Sequence, residues 1–135
     1  MWPTEDEIKK LPLEELEALQ QKELPMQVRG HVLLQTALIH NRAGSSTAQI
    51  PGLLDEAVEI GEQLKDGSIL TYAHGAYGWY YMKTYNHLKA FEHLQTANQL
   101  AVAHQNKTYE QVIAKILAAL YSRLGFNDKA VQKQQ

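Results

Sequence analysis

The stretch from Gly78 to Ala97 constrains the fold of this 135-residue chain more than any other part of it. It reads GWYYMKTYNHLKAFEHLQTA, with Tyr81 three residues after Gly78 and a polar turn at 86–87. Small and apolar residues then recur at the spacing of one helical face, at Ala90, Leu94 and Ala97. This order predicts two helices that fold back on each other, with Gly78 permitting their close approach.

The same spacing resembles the tetratricopeptide repeat, a family of helix–turn–helix units of about 34 residues. With Thr71 as the first position of a unit, the signature positions hold Tyr77, Gly78, Tyr81, Ala90 and Ala97. Leu94 stands where the family usually has Phe, and the Pro that often ends the unit is absent. The resemblance implies a right-handed superhelix of antiparallel helix pairs, an α-solenoid of about seven helices.

Composition places the chain among ordinary globular proteins. Its net charge is −2, so it lacks the basic footprint of a nucleic-acid-binding protein. It has no cysteine, which excludes disulfides and is compatible with a reducing compartment. No apolar run approaches the roughly 18 residues that a membrane span requires. We therefore expect a cytoplasmic protein with no nucleic-acid partner and no membrane span.

Capping, proline and glycine signals predict the helices along the chain. A capping box at 4–7 begins a short helix. The longer predicted helices cover 13–23, 26–43, 51–66, 69–85, 88–104 and 109–124, and a last short one covers 127–135. Ser68 and Thr108 are the expected N-caps of the helices that follow them. No alternating apolar run lies beside hairpin turn residues, so the predicted fold class is all-α.

Alignment of the Gly78–Ala97 stretch with the preceding and following parts of the chain predicts three repeat units. Gly78 aligns with Ala118, and Ala90 aligns with Ala130, at one common spacing that is longer than the family's repeat. We assign the excess length to the 45–52 loop and to residues around 105–110, which lengthen either the second helix of the Gly78–Ala97 unit or the helix after it. The predicted units are 26–66, 67–105 and 106–135, with the last one truncated, and residues 1–25 form a leader that caps the first. Because the final helix is short and polar, we expect a fragment of a longer protein, or one that pairs with another copy at that end.

The side chains show no pattern of catalytic or metal-binding residues. The six histidines contain no i, i+4 pair, and no cysteine is available to complete a metal site. There is no glycine-rich phosphate loop and no GxSxG sequence. The acidic residues at 55–62 have the spacing of a solvated helix face. We expect no catalysis, no metal and no cofactor.

The family resemblance also implies which residues face a concave groove. In the three units these are His31, Leu34, Leu38, Asn41 and Arg42; Tyr72, Gly75, Trp79, Met82 and Lys83; and Val112, Lys115, Ala119, Ser122 and Arg123. Trp79 and Met82 would make an adaptable apolar pocket with an aromatic anchor. The alternative is that Trp79 packs against the neighbouring unit. Tyr77, Tyr81 and Tyr85 recur at i, i+4, i+8 and are expected in the core between paired helices.

Arg42, Lys83 and Arg123 occupy the same position of the three units. Three cations on one ledge of the groove would favour an acidic peptide or helix. The alternative is that these side chains complement the dipoles of helix ends. The family's carboxylate clamp is absent, because the matching positions are apolar: Leu34, Leu38, Ala76, Val112 and Ile116.

The leading hypothesis is a non-catalytic protein-interaction module that takes a peptide or helix in its groove. The predicted partner-binding residues are Tyr72, Trp79, Met82, Lys83, Lys115, Arg123 and Arg42. Long-period arrays of this kind resemble the regulatory regions of larger bacterial signalling proteins, such as diguanylate cyclases and histidine kinases. Alternatives are a homodimer formed through the C-terminal unit and a small-molecule sensor that uses the Trp79/Met82 pocket.

An acidic leader adds an autoinhibitory hypothesis. Residues 1–24 carry seven acids and three lysines, a net of −4, and residues 25–135 carry eight acids and ten bases, a net of +2. The acidic segment 14–23 would then dock on the basic ledge of its own groove instead of capping the first unit.

Overall fold

The computed structural model describes residues 1–44 and 47–125. The predicted loop residues Ser45 and Ser46, and the predicted last helix at 127–135 with Ala130, lie outside the described residues. Within the described ranges the chain is helical and has no strand, which confirms the all-α class there. None of the helices in these ranges is long and apolar enough to cross a membrane.

Seven α-helices are present in the described part of the chain. They are α1 Glu5–Ile8, α2 Leu13–Gln20, α3 Met26–Ala43, α4 Ile50–Leu64, α5 Gly67–Lys83, α6 His87–Ala103 and α7 Lys107–Arg123, with a 3₁₀ turn at Thr47–Gln49 before α4. The bounds of α3 are the predicted ones, and the capping box between Thr4 and Glu7 is formed in both directions. Helix α2 begins at its predicted residue and ends before its predicted end at 23, and helices α4 to α7 begin one or two residues before their predicted starts.

The N-caps of α5 and α7 differ from the prediction. Asp66, rather than Ser68, accepts hydrogen bonds from the first free N–H groups of α5, at 3.0 and 3.1 Å. Asn106, rather than Thr108, caps α7. Both differences have one cause. Each cap directly follows the left-handed residue that ends the preceding helix, so the turn is shorter than the sequence pattern implied.

Three helix-ending turns recur at equal intervals along the chain. Lys65, Tyr85 and Gln105 each adopt a left-handed conformation, with φ of 52°, 63° and 56°. In each turn the next residue's N–H donates to a carbonyl five positions back, at 2.8–2.9 Å, which is a Schellman motif. The last two of these residues join helices of 17 residues. The long repeat period therefore arises from long helices joined by short turns.

Tyr85 is the one member of the predicted tyrosine core that lies outside it. Tyr77 is buried and Tyr81 is half-buried, as expected for residues between paired helices. Tyr85 is 75% exposed because it occupies the left-handed position of the turn, where the chain has already left the helix.

Helix α5 is the centre of the packing. It contacts α4 and α6, its neighbours in sequence, and also α3 and α7. Helices α3, α5 and α7 thus lie side by side, while α4 packs across α3 and α5, and α6 packs across α5 and α7. This arrangement of helices is consistent with the predicted helix pairs, and the right-handed superhelix stays a prediction.

The leader packs against the start of this array. Leu16 of α2 and Ile8 of α1 are buried together with Val32 of α3. The Gln20 amide of α2 donates to the Thr36 hydroxyl of α3 at 3.0 Å. The Arg29 guanidinium of α3 also donates to the backbone carbonyl of Gln20, at 3.4 Å. Helix α2 therefore covers a face of α3 through apolar contacts and two hydrogen bonds.

Gly78 permits the close contact between α5 and α6 that its sequence position predicts. A methyl group built at Gly78 would overlap the side chain of Leu94 on α6, which is fully buried. Leu94 and the alanines at 90 and 97 belong to one buried cluster with residues of α7. The space beside the missing Cβ of Gly78 is therefore filled by Leu94.

We expect Gly78→Ala to lower the free energy of unfolding by about 1–3 kcal/mol, because the added methyl forces Leu94 away from α5. Urea denaturation followed by circular dichroism measures the change. The matched control is Gly52→Ala in α4, where nothing lies within 4 Å of a built methyl group. That change should stabilise the chain slightly through helix propensity. Equal effects of the two substitutions would contradict the close contact.

Candidate binding groove

Two adjacent cavities follow the row of α3, α5 and α7, and we call them together the groove. The larger has a volume of about 480 Å³ and the smaller about 290 Å³. They share three lining residues, Leu38 and Arg42 of α3 and Tyr109 of α7. The groove therefore runs across alternate helices, where the sequence predicted it.

The larger cavity, here called the Trp79 cavity, is largely apolar. It is lined by Leu38, Asn41, Arg42, Gly75, Ala76, Trp79, Tyr109, Val112, Lys115 and Ile116. Most of these residues were predicted to face the groove. The half-buried Trp79 also packs against the buried cluster formed by α5, α6 and α7. Both predicted positions of Trp79 are thus realised by one side chain.

The smaller cavity, here called the Tyr72 cavity, contains residues of α1 that sequence reasoning did not place there. Glu5 and Lys9 form an ion pair at 3.2 Å, and Glu5 lies 3.5 Å from the ring of His31. The Lys9 ammonium is 5.2 Å from the centre of the Tyr72 ring. None of the acidic residues of the segment 14–23 is among the described residues that line either cavity.

Tyr109 connects the two cavities, and sequence reasoning missed it because it was read only as a helix start. Its ring packs edge-on against that of Tyr72, with centroids 4.5 Å apart. Its hydroxyl fills the space left by the absent side chain of Gly75. Burial, and then the neighbouring Tyr72, raise the pKa of Tyr109 well above its usual value, so the hydroxyl stays protonated. The feature of the sequence that could have identified Tyr109 is an aromatic residue in the first turn of a helix.

Arg42 and Lys115 are the charged residues among the described lining of the Trp79 cavity. Both side chains are exposed. Within the described part of the chain, neither takes part in a hydrogen bond or an ion pair. These two cations are therefore available to a partner that enters the cavity.

Lys83 and Arg123 do not form a free basic ledge with Arg42. The Lys83 ammonium donates to the backbone carbonyl of Asn41 near the end of α3. The Arg123 guanidinium donates to the carbonyl of Met82 near the end of α5, at 2.8 Å. Each cation thus satisfies a helix-terminal carbonyl of the preceding helix in the row. This matches the alternative interpretation, in which these side chains complement helix ends. Arg42 is the member of the ledge that remains free to bind.

The prediction that Met82 faces the groove is wrong. Its side chain is 3% exposed and belongs to the buried cluster with Leu94 and Ile113. Three residues separate it from Trp79, which rotates it about 60° around the helix toward α6 and α7. Of the predicted partner-binding residues, Arg42, Trp79 and Lys115 line one cavity, Tyr72 lines the other, and Met82, Lys83 and Arg123 serve packing and helix ends.

A separate cluster of titratable side chains lies where α4, α5 and α6 meet. The Nδ1 atoms of His74 and His93 are 3.0 Å apart, and the ring of His93 stacks on that of Tyr77 at 4.4 Å. The Tyr77 hydroxyl donates to Asp55 of α4. Burial lowers the pKa of both histidines, reinforced for His74 by His93 and for His93 by the charge of Lys89. Among the described residues no group of three potential ligands could hold a metal ion.

No protein-family model, curated protein or solved structure matches the chain. The tetratricopeptide resemblance therefore stays a prediction that rests on the residues of this sequence.

We expect Lys83→Met and Arg123→Met each to lower the free energy of unfolding by about 0.5–1 kcal/mol, since each loses a charge-assisted hydrogen bond that is partly exposed to water. Urea denaturation measures the effect. Arg42→Met is the matched control and should change it by less than about 0.5 kcal/mol. A loss for Arg42→Met as large as the other two would show that Arg42 is also a structural cation.

The histidine pair makes stability depend on pH. The pKa of each histidine is lowered on folding, so the unfolded chain binds more protons between the folded and unfolded values. Their contribution is fully present above the unfolded value of about 6.5 and is lost as the pH falls through the folded values. We expect a lower melting temperature at pH 5 than at pH 7.5.

The double variant His74→Gln with His93→Gln should show a smaller difference between the two pH values. His104→Gln, which changes an exposed histidine, is the control and should retain the wild-type difference. Identical pH profiles for the double variant and the wild type would mean that other groups control the acid response.

Proposed function

We propose that the chain is a non-catalytic binding module that holds an acidic peptide segment in the groove across α3, α5 and α7. The observation that carries the proposal is the Trp79 cavity, an apolar space of about 480 Å³ bordered by an aromatic side chain and by the two cations Arg42 and Lys115. Aromatic anchors beside free cations are typical of surfaces that bind an acidic partner.

The charges favour a partner with a carboxylate. Lys83 and Arg123 are engaged with backbone carbonyls, so Arg42 and Lys115 supply the charge that a partner meets. Glu5 is the acidic residue in the described lining of the groove, and it is already paired with Lys9 in the Tyr72 cavity. A peptide that places an acidic side chain between Arg42 and Lys115 would gain two attractive interactions and meet no repulsive one in that cavity.

The shape favours a peptide over a compact ligand. The two cavities lie next to each other along three helices and share Leu38, Arg42 and Tyr109, so the lining extends beyond a single pocket. A small apolar molecule is the second candidate, because about 480 Å³ lies within the range of small-molecule sites. A small-molecule pocket formed by Trp79 and Met82 together is not supported, since Met82 is buried in the core.

The larger setting of the module is also proposed. The row of alternate helices and the regular spacing of the turns support a tetratricopeptide-like superhelix with a concave binding face. In that setting the module would be the regulatory part of a larger signalling protein, as the resemblance implies. Self-association through the C-terminal unit would then compete with peptide binding for the same type of apolar surface.

A selection of random displayed peptides on the immobilised chain tests the proposal. We expect the enriched peptides to contain acidic residues next to an apolar or aromatic residue. A synthetic copy should bind with an affinity that falls at least about tenfold in the double variant Arg42→Glu with Lys115→Glu. Binding is measured through the fluorescence of Trp79 in a Trp2→Phe background, which leaves one tryptophan.

The matched control carries the same charge change away from the groove, as Lys22→Glu with Lys107→Glu. It should retain wild-type affinity at equal ionic strength, since neither residue is in the described lining of the groove. Failure to enrich any peptide, or equal weakening in the two double variants, would overturn the proposed function. A small apolar compound that binds with no dependence on Arg42 and Lys115 would favour the second candidate.

A further inference from the structure

Two residues that line the Trp79 cavity carry buried polar atoms with unused hydrogen-bonding capacity. Asn41 is only 2% exposed, and its side-chain Nδ2 donates to the carbonyl of Ala76 at 3.2 Å. Because a carbonyl can only accept, this bond fixes the orientation of the amide and leaves Oδ1 as the remaining acceptor. Among the described residues, Oδ1 has no hydrogen-bond partner.

The second atom is a donor. The indole Nε1 of Trp79 is buried and likewise finds no acceptor within the described part of the chain. Buried polar groups in native proteins nearly always have a partner, so each exception needs a physical explanation. Here two exceptions of opposite character, an acceptor and a donor, occur in residues that line the same cavity.

The two residues belong to one contiguous patch. Ala76, which accepts from Asn41, lies one helical turn before Trp79 on α5. Lys83 connects them from the other side, since its ammonium donates to the Asn41 carbonyl and lies 5.5 Å from the centre of the Trp79 ring. The residues that carry the acceptor of α3 and the donor of α5 therefore lie at the same contact between two helices of the row.

A group that satisfies both atoms must offer an N–H and a C=O. The peptide backbone offers both at every residue except proline, which lacks the N–H. An acidic side chain alone satisfies only the indole, because a carboxylate accepts hydrogen bonds but has no donor for Asn41. The chemistry of the two atoms therefore matches the main chain of a peptide, and Arg42, next to Asn41 in sequence, matches its acidic side chain.

We infer that Asn41 and Trp79 form a subsite for the backbone of the bound peptide, in which Asn41 Oδ1 accepts from a backbone N–H and the Trp79 indole donates to a backbone carbonyl. The inference rests on the proposed function and adds how the peptide main chain is recognised. Both atoms are closed to water in this structure, so the half-buried indole must rotate as the peptide enters. The cation of Lys83 beside the ring holds the indole in its closed position.

The test uses a peptide obtained by the selection described above and alters its backbone one position at a time. Binding is followed by isothermal titration calorimetry, because Trp79→Phe removes the fluorescent indole. Methylation of an amide nitrogen removes a single N–H donor. At one position we expect N-methylation to weaken binding to the wild-type chain by about fivefold to tenfold. The same methylation should cause no further loss in Asn41→Leu, because the acceptor is already absent. Replacement of an amide by an ester removes the N–H and also weakens the adjoining carbonyl as an acceptor. At a position where N-methylation has no effect, the loss caused by the ester should therefore couple in the same way to Trp79→Phe.

Asn41→Leu also removes the bond to Ala76, so circular dichroism and a melting curve accompany each variant. If Asn41→Leu does not fold, the ester series with Trp79→Phe decides alone, since phenylalanine keeps an aromatic ring and lacks the indole N–H. N-methylation that weakens binding equally in wild type and variant would overturn the subsite. So would coupling to an Asn or Gln side chain of the peptide instead of its backbone.

The outcomes separate this inference from the proposed function. A peptide that depends on Arg42 and Lys115 but shows no backbone coupling leaves the proposed function standing and overturns the subsite. If the selection yields no peptide, both the proposed function and the subsite are overturned. A peptide with coupling to both Asn41 and Trp79 supports both.

Discussion

The helix-ending turn at Lys65, Tyr85 and Gln105 is the constraint on which the rest of the structure depends. Each of these residues adopts a left-handed conformation, and the residue after it both closes the Schellman hydrogen bond and caps the next helix. Because these turns recur at equal intervals, corresponding positions of alternate helices are also equally spaced in sequence and lie side by side. The placement of α7 beside α5 follows from that spacing, and α3 joins the row through its contacts with α4 and α5.

The side-by-side packing of the row also explains why Arg42, Lys83 and Arg123 have different roles. Arg123 reaches the end of α5, and Lys83 reaches the end of α3, because each lies beside a preceding helix of the row. Arg42 is on α3, which is preceded by the short helices of the leader instead of by another long helix of the row. Its guanidinium therefore has no equivalent carbonyl to bind and stays in the groove. The same position of the three predicted repeat units thus holds two cations that bind backbone carbonyls and one that is free for a partner.

Sequence reasoning predicted the helices more completely than the site. The bounds of α3, the capping box and the close contact at Gly78 were predicted because each depends on local backbone preferences or on one missing Cβ. Met82 was misplaced because one residue's direction depends on how far α5 is rotated against α6 and α7, which no local pattern reports. Tyr109 was missed because it acts through contacts with Tyr72 and Gly75 on another helix.

By itself the sequence determined the all-helical class, the approximate ends of the helices from their capping residues, and a set of predicted groove positions. These follow from the 3.6-residue helical period and the chemistry of helix ends, which operate over a few residues. Only the tertiary structure decided that Lys83 and Arg123 are engaged and that Arg42 and Lys115 remain available. It also decided that Asn41 and Trp79, which carry an unpaired acceptor and an unpaired donor, line the same cavity. Those outcomes depend on the rotation and spacing of helices that are far apart in sequence, and packing sets both.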